Sequence, residues 1–374
     1  MTGFAVRGWC PDAWRPMAAG DGLLVRVKPR LARLTHGQLR GLCTASLAHG
    51  NGLIDLTNRG NLQLRGVSDE AWPMLIERLI ALDLIDGDPE TEQRRTLLVA
   101  PDWQAGDDTH RIAGDLLGML DALPILPGKM GFVIDAGPVP LLRHAPGDFR
   151  VERSGEGGLI LRLDGRVAGA PLPSGHEASA LVRLAHWFVE SGGVAAGRAA
   201  RHDAPLPGWA QAALPPAAPG APPLPGAHPL GAAVGLAFGQ IDARWLVLDA
   251  MDALVAVRIT PWRVLLIEGT APAHPALITD RADPRLRADA CVGAPACPQA
   301  TIETRNLAAS LAPLVARRLH VSGCAKGCAR ARAAEVVITG RDGRFDLAFD
   351  ARAGAAPVHV ARTPDALLSL FGTA

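Results

Sequence analysis

Four cysteines in two tight pairs are the residues best suited to carry chemistry. Cys291 and Cys297 are separated by five residues, and Cys324 and Cys328 by three. A 4Fe-4S cluster requires four cysteine thiolates, one for each iron. Their neighbours are mostly glycine and alanine, so the backbone can wrap a bulky cluster and direct N–H groups at its sulfurs. The spacing therefore predicts a 4Fe-4S cluster held by these four thiolates.

Structural zinc and disulfides are the alternative uses of these cysteines. Zinc ligands usually come in pairs two to four residues apart, which suits the second pair but not the first. Disulfides require an oxidising compartment, and nothing in the sequence indicates one. Two further cysteines, Cys10 and Cys43, lie far from this region and are not expected to bind the cluster.

Composition limits the class of protein. A length of 374 residues predicts two or three domains, and 48% apolar with 20% charged residues is typical of a globular chain. A formal net charge of +1 argues against a nucleic-acid partner or a membrane-surface role. No run of eighteen or more apolar residues and no N-terminal leader pattern is present. We therefore expect a cytoplasmic protein that contacts neither nucleic acid nor membrane.

The element order of the first ninety residues recurs later in the chain. In residues 21–27 apolar and polar side chains alternate, which predicts a strand. Thr35 is a candidate cap for a helix that runs to about His49. Two strands joined by a turn at 58–61 then precede a helix over 68–82. The second copy has a strand over 233–238, a helix over 242–252 and two strands over 254–269. With an offset of 203, Thr57 meets Thr260 and Gly66 meets Gly269. This indicates an internal duplication, with chance similarity of two strand pairs as the alternative.

Each copy is followed by a segment with both strand and helix signals. The first has a predicted helix over 110–122 and a strand over 131–135; the second has a helix over 302–318 and a strand over 335–340. Residues 204–229 contain nine prolines, whose missing N–H donors exclude a regular helix or central strand there. The predicted α+β organisation is a first half-repeat (1–92), a first α/β segment (93–203), a Pro-rich linker (204–229), a second half-repeat (230–280) and a cluster-binding α/β segment (281–374).

Five cations outside the cysteine region are candidate substrate-binding residues: Arg59, Arg65, Arg94, Arg95 and Lys129. Arginine pairs bidentately with carboxylates, so fixed cations near a metal cluster would suit a polyanionic substrate. The alternative for each residue is a solvated surface charge. The histidines form no pair with metal-ligand spacing, no phosphate-binding loop is present, and no catalytic residue is identified. We therefore expect electrons to arrive from a partner protein or a loosely bound donor.

Several motifs resemble the sulfite and nitrite reductase superfamily over nearly the whole chain. The stretch Thr57-Asn-Arg59 is similar to a strand of that superfamily whose arginine faces the active site. Leu126-Pro-Gly-Lys129 is similar to its anion-binding lysine motif, and Val321-Ser-Gly-Cys324 to its cluster loop. The resemblance implies two ferredoxin-like half-repeats, two α/β segments and a 4Fe-4S cluster in the second.

Two departures from the superfamily pattern bear on the reaction. Gly131 stands where the motif has its second lysine, and Gly60 replaces the glutamine that follows the strand arginine. Loss of an anion-binding lysine argues against six-electron reduction of sulfite or nitrite. A sirohaem-dependent sulfite or nitrite reductase is therefore the alternative function.

Within the superfamily, other stretches resemble the precorrin-3B synthase family of aerobic cobalamin biosynthesis. They are Arg7–Pro11, Gly20–Val27, Leu56–Gly66 and Asp283–Cys297. This resemblance implies a monooxygenase that hydroxylates precorrin-3A at C20 and closes a γ-lactone, using O2 and an electron donor such as NADH or a reductase protein. It also implies a mononuclear non-haem iron beside the cluster, with sirohaem as the alternative.

Overall fold

A computed structural model of the chain describes residues 10–248 and 253–372. It has the predicted α+β architecture, with four sheets and helices packed against them. The start of the Arg7–Pro11 stretch and the end of the helix predicted over 242–252 lie outside the described residues. In the parts of the chain that the structure describes, no helix is long and apolar enough to cross a membrane.

The first half-repeat follows the predicted order of strands and helices. Thr35 caps the first helix, since its hydroxyl oxygen accepts the backbone N–H of Gln38 at 3.2 Å. The helix predicted over 68–82 begins at Trp72, because Ser68 accepts the N–H of Ala71 and closes a turn before it. The elements are β1 (Met17–Ala19), β2 (Gly22–Val27), β3 (Arg33–Thr35), α1 (His36–His49), β4 (Leu53–Leu56), β5 (Leu62–Val67), α2 (Trp72–Ala81) and α3 (Pro89–Arg94).

The first α/β segment forms one sheet in the order β10-β9-β8-β7-β6, with β6, β7 and β8 parallel. The turn at 154–158 joins two antiparallel strands, and the predicted helix over 110–122 is an α-helix as far as Leu117. The elements are β6 (Leu97–Val99), α4 (Asp108–Leu117), β7 (Phe132–Asp135), β8 (Phe149–Arg153), β9 (Leu159–Leu163), β10 (Ala170–Leu172), α5 (Glu177–Glu190) and α6 (Gly193–Ala196).

The second half-repeat repeats the plan of the first and confirms the duplication. The matched threonines make equivalent hydrogen bonds. The Thr57 hydroxyl accepts the backbone N–H of Arg59 at 3.3 Å, and the Thr260 hydroxyl accepts that of Trp262 at 3.2 Å. The elements are β11 (Gly226–His228), β12 (Gly231–Leu236), β13 (Gln240–Asp242), α7 (Ala243–Leu248), β14 (Leu254–Ile259), β15 (Val264–Gly269) and β16 (Leu277–Ile278).

The second α/β segment has the strand order β17-β18-β19-β20-β21, again parallel over its first three strands. The helix predicted over 302–318 is shorter than expected and ends at Leu311, because Pro313 has no N–H to continue it. The elements are β17 (Ala288–Ala290), α8 (Arg305–Leu311), β18 (Leu319–Ser322), β19 (Ala334–Arg341), β20 (Arg344–Ala351), β21 (His359–Arg362) and α9 (Pro364–Gly372).

The two half-repeats exchange one strand each. The sheet of the first half has the order β1-β2-β5-β4-β13, and that of the second has the order β11-β12-β15-β14-β3. Leu34 of β3 therefore pairs with Val257, and Ile241 of β13 pairs with Ile54. These four side chains are buried in one hydrophobic core shared by both sheets.

A network of ion pairs beside β3 stabilises this exchange of strands. Glu268 accepts hydrogen bonds from Arg33 of β3 at 2.7 and 2.8 Å and from Arg258 of β14 at 2.6 Å. The hydrogen bonds from these two guanidinium groups lower the pKa of Glu268 to about 2. The carboxylate thus stays charged at neutral pH and links the first half-repeat to the second.

The Pro-rich linker lies along the first α/β segment. Leu214 bridges to Gly169 and Pro216 to Ser154, and its last residues form β11 at the edge of the second sheet. Most of the linker has no regular structure, as predicted, but β11 was not expected. The five segment boundaries remain a prediction.

Arg95 belongs to a buried ion network at the junction between the first half-repeat and the first α/β segment. Its guanidinium contacts Glu92 at 2.5 Å and donates to the carbonyls of Lys28 and Leu84. Glu92 is fully buried and also pairs with the Lys28 ammonium at 3.3 Å. All three nitrogen atoms of the Arg95 guanidinium thus bind groups in the protein interior.

Replacing Arg95 by methionine should therefore destabilise the fold. Removing one partner of a buried ion pair leaves the other charge without compensation, so we expect the free energy of unfolding to fall by about 3–5 kcal/mol. Urea unfolding measures the loss. Arg94→Met is the matched control, because Arg94 pairs with the exposed Glu90 and should lose less than about 1 kcal/mol. Equal losses in the two variants would contradict this account.

Candidate functional site

The four cysteines of the predicted cluster site lie along one cavity. Cys291 and Cys297 follow β17, and Cys324 and Cys328 follow β18. Because β17 and β18 are parallel neighbours, the loops after their carboxyl ends meet at the same edge of the sheet. All four side chains line a cavity of about 720 Å³, and Cys328 is the most exposed of them.

The loops that carry the cysteines are packed too closely for larger side chains. A Cβ atom added at Gly323 would lie 2.6 Å from the Cβ of Ala300. The Gly323 N–H donates to the sulfur of Cys291 at 3.2 Å, and the Ser322 hydroxyl donates to the carbonyl of Cys324 at 2.7 Å. Gly293 has a positive φ of 68°, which permits the turn between the first pair.

The cysteine thiols lie close enough together to affect one another's protonation. Partial burial raises the pKa of the Cys324 and Cys328 thiols, and the nearby sulfurs of Cys291 and Cys297 raise both further. Binding of iron would displace those protons and compensate the negative charge. Over residues 10–248 and 253–372, no three His, Cys, Asp or Glu side chains converge closely enough to hold a single metal ion.

The wall of this cysteine cavity carries more positive than negative charge. Asp55 and Asp289 are its only carboxylates within the described residues, and both are paired with arginine. Its arginines are Arg26, Arg65, Arg263, Arg305 and Arg318. The excess of guanidinium groups makes the cavity suitable for a ligand with several carboxylates.

Two of these arginines keep hydrogen-bond donors available. Arg305 pairs with Asp55 at 2.9 Å through Nη2, while its Nε and Nη1 are buried without a partner in the described part of the chain. Arg26 donates to Gln63 at 2.6 Å, and its Nε is likewise unpartnered there. Buried donors left unpaired cost free energy, so both side chains are suited to receive an anionic ligand.

A second cavity of about 390 Å³ adjoins the first. Arg26 lines both, and the second is also lined by Arg59, Arg94, Lys28 and Cys10. Arg59 donates to the carbonyl of Lys129 at 2.8 Å, and burial lowers the pKa of its guanidinium. Burial removes water that would stabilise the positive charge of Arg59. A ligand carboxylate beside the guanidinium would stabilise that charge instead.

The predicted substrate-binding residues are therefore divided among different environments. Arg59 and Arg94 line the second cavity, and Arg65 lines the cysteine cavity while pairing with Asp21 at 2.9 Å. Lys129 contributes its carbonyl to Arg59, and its side chain lines neither cavity. Arg95 also lines neither, because it is committed to the buried network described above.

Four cavity arginines were not singled out from the sequence: Arg26, Arg263, Arg305 and Arg318. Arg26 carries a recognisable signal, since it alternates with buried Val25 and Val27 on β2 and so faces away from the core. The other three come from the second half of the chain, where Arg263 and Arg318 bind Asp289, while Arg305 binds Asp55 of the first half. No local pattern identifies them.

The comparisons with known proteins agree with this geometry. The Nitrite/Sulfite reductase ferredoxin-like half domain matches residues 15–82. The structure is similar to that of the Mycobacterium tuberculosis NirA protein, with a TM-score of 0.56 and 19% identity over 93% of this chain and 79% of that one. A Precorrin-3B synthase from Sinorhizobium sp is 32% identical over 394 aligned positions, covering 94% of this chain and 84% of the relative. The chain therefore has a NirA-like fold and belongs to the precorrin-3B synthase family.

Proposed function

We propose that this protein is an oxygenase that hydroxylates precorrin-3A at C20 and closes a γ-lactone from a ring-A acetate. The observation that supports it most is a cavity lined by four cysteines and five arginines, in a chain of this family. One oxygen atom of O2 would enter the product. The other would leave as water, with two electrons from NADH or from a reductase protein.

The charge of the site suits the substrate. A precorrin carries several acetate and propionate arms, and each needs a cation when it leaves water. In this proposal the arms bind to the unpartnered donors of Arg305 and Arg26 and to the buried guanidinium of Arg59. Since Arg26 lines both cavities, a macrocycle held in one can extend its carboxylates into the other.

The metal groups of the proposal follow from the fold and the family. Cys291, Cys297, Cys324 and Cys328 would hold a 4Fe-4S cluster, which when bound passes single electrons toward the substrate. A mononuclear non-haem iron is also proposed, but the described residues include no group of three His, Cys, Asp or Glu side chains preassembled for it. We therefore assign it no ligands, and we also propose a cytoplasmic location.

A sirohaem-dependent sulfite or nitrite reductase is the second candidate, favoured by the NirA-like fold. Gly131 argues against it. A Cβ atom at this position would lie 2.8 Å from the carbonyl oxygen of Thr96, so the second lysine of the anion-binding motif has no room without a backbone shift. The remaining lysine, Lys129, has its side chain outside both cavities.

Anaerobic purification followed by an optical spectrum and by iron, sulfide and tetrapyrrole analysis tests the choice. The oxygenase predicts a broad cluster absorption, about four sulfides and somewhat more than four irons per chain, and no haem-type bands. A stoichiometric sirohaem spectrum together with reduction of sulfite or nitrite would instead support the reductase.

Replacing any one of the four cluster cysteines by serine should abolish the cluster, because one of its four irons then lacks a thiolate ligand. Iron and sulfide content and the visible absorption measure the loss. Cys43→Ala is the control: Cys43 is buried in the core of the half-repeats, and burial raises the pKa of its thiol to about 12. Unchanged iron and sulfide in the serine variants would refute the ligand assignment.

Arg59→Ala should weaken binding of precorrin-3A by about tenfold or more, since one charge-assisted hydrogen bond contributes about 1.5–3 kcal/mol. Fluorescence titration under anaerobic conditions measures the affinity, and urea unfolding shows whether the variant is folded. Arg244→Ala is the control, because Arg244 is exposed and pairs only with its neighbour Asp242 among the described residues. Normal precorrin affinity in folded Arg59→Ala would remove Arg59 from the site.

A further inference from the structure

His320 is a buried histidine whose ring nitrogens have no hydrogen-bond partner among the described residues. It lies on β18, its relative exposure is 0%, and neither Nδ1 nor Nε2 contacts a donor or acceptor in the described part of the chain. A neutral imidazole carries one N–H donor and one acceptor nitrogen. Leaving such groups buried and unpaired costs about 1–3 kcal/mol each. The ring therefore has an N–H donor for which residues 10–248 and 253–372 provide no acceptor.

The position of His320 directs it at the cysteine loops. Side chains alternate along β18, and Leu319 and Val321 lie in the core of the second α/β segment. His320 consequently shares the opposite face with Ser322, which lines the cysteine cavity. A Cβ atom added at Gly327, the residue before Cys328, would lie 3.6 Å from Cε1 of His320. The imidazole thus packs beneath the loop that carries the second cysteine pair.

The carboxylate that neighbours His320 on the adjacent strand already binds three arginines. Asp289 on β17 is the register partner of His320, so the two side chains stand side by side on one face. The Asp289 carboxylate is bound by Arg263 at 2.9 Å and by Arg318 and Arg330 at 3.4 Å each. These three guanidinium groups neutralise the carboxylate and leave His320 without it as a partner.

We propose that His320 is a positioning residue that donates an N–H hydrogen bond to a sulfur of the iron–sulfur cluster or of a cysteine that ligates it. This inference rests on the cluster assignment made above. A cluster with four thiolate ligands presents sulfur acceptors and no donors, which matches the free N–H of the ring. Hydrogen bonds to the sulfurs are among the determinants of a cluster's reduction potential.

The direction of the effect follows from charge. Reduction adds one negative charge to the cluster, so a hydrogen bond donated to its sulfurs stabilises the reduced form more than the oxidised form. His320 should therefore raise the reduction potential and ease electron transfer into the cluster. Substrate binding to the arginines of the cavity should depend on it far less.

The test compares His320→Phe, which removes the donor, with His320→Gln, which retains an N–H. The control is His186→Phe on α5, in the other α/β segment. Each protein is purified anaerobically, its iron and sulfide are measured, and the cluster potential is determined by titration monitored by electron paramagnetic resonance. We expect a more negative potential in the phenylalanine variant, partial or full recovery with glutamine, and no shift in the control.

Each outcome bears on the proposal. Equal potentials in wild type and His320→Phe, with intact clusters, would overturn it, as would equal shifts in both His320 variants. Loss of the cluster from both variants would show that the ring serves packing alone. A wild-type protein without iron and sulfide would instead refute the cluster assignment itself, so the two failures are distinguishable.

Discussion

The exchange of β3 and β13 between the half-repeats is the constraint on which the rest of the molecule depends. Each sheet is completed by a strand from the other half, so neither half has its full hydrophobic core alone. Sheet pairing also places the Thr57 and Thr260 turns in fixed positions relative to each other. The exchange thereby joins two copies of one unit into a single scaffold with a cleft bounded by both.

The strand exchange determines which side chains line the cleft. Asp55 on β4 accepts hydrogen bonds from Arg65 of its own half and from Gln240 of the exchanged strand β13, and it pairs with Arg305 of the second α/β segment. One carboxylate thus fixes side chains from three parts of the chain. The cysteine loops supply the remaining wall, so a cationic surface and a thiol-rich surface face the same space.

Local sequence signals predicted the parts of the fold that local interactions form. The cap at Thr35, the paired threonine turns and the cysteine spacing each depend on residues a few positions apart. The exchanged strands were not predicted, because three residues carry no periodicity and their partners lie some two hundred residues away. The family and the duplicated reductase-like fold could nevertheless be inferred, since several short motifs occur in the expected order.

The candidate site was less predictable for the same reason. The charge pattern cannot show that Arg95 is paired with buried Glu92 while Arg59 faces a cavity. Nor can it show that Arg305 meets Asp55 across an interface between segments, or that His320 is buried without a hydrogen-bond partner in the part of the chain that the structure describes. These environments depend on packing between residues far apart in the sequence. That packing decides whether a charged side chain is exposed to solvent, forms a buried ion pair or lines a cavity.

The most direct test of the central claim is to incubate the reconstituted protein with precorrin-3A, reductant and isotopically labelled O2, and to determine the mass of the product. The account predicts a hydroxylated γ-lactone that contains one labelled oxygen atom per macrocycle. A precorrin recovered without label, from a protein that reduces sulfite or nitrite under the same conditions, would contradict it.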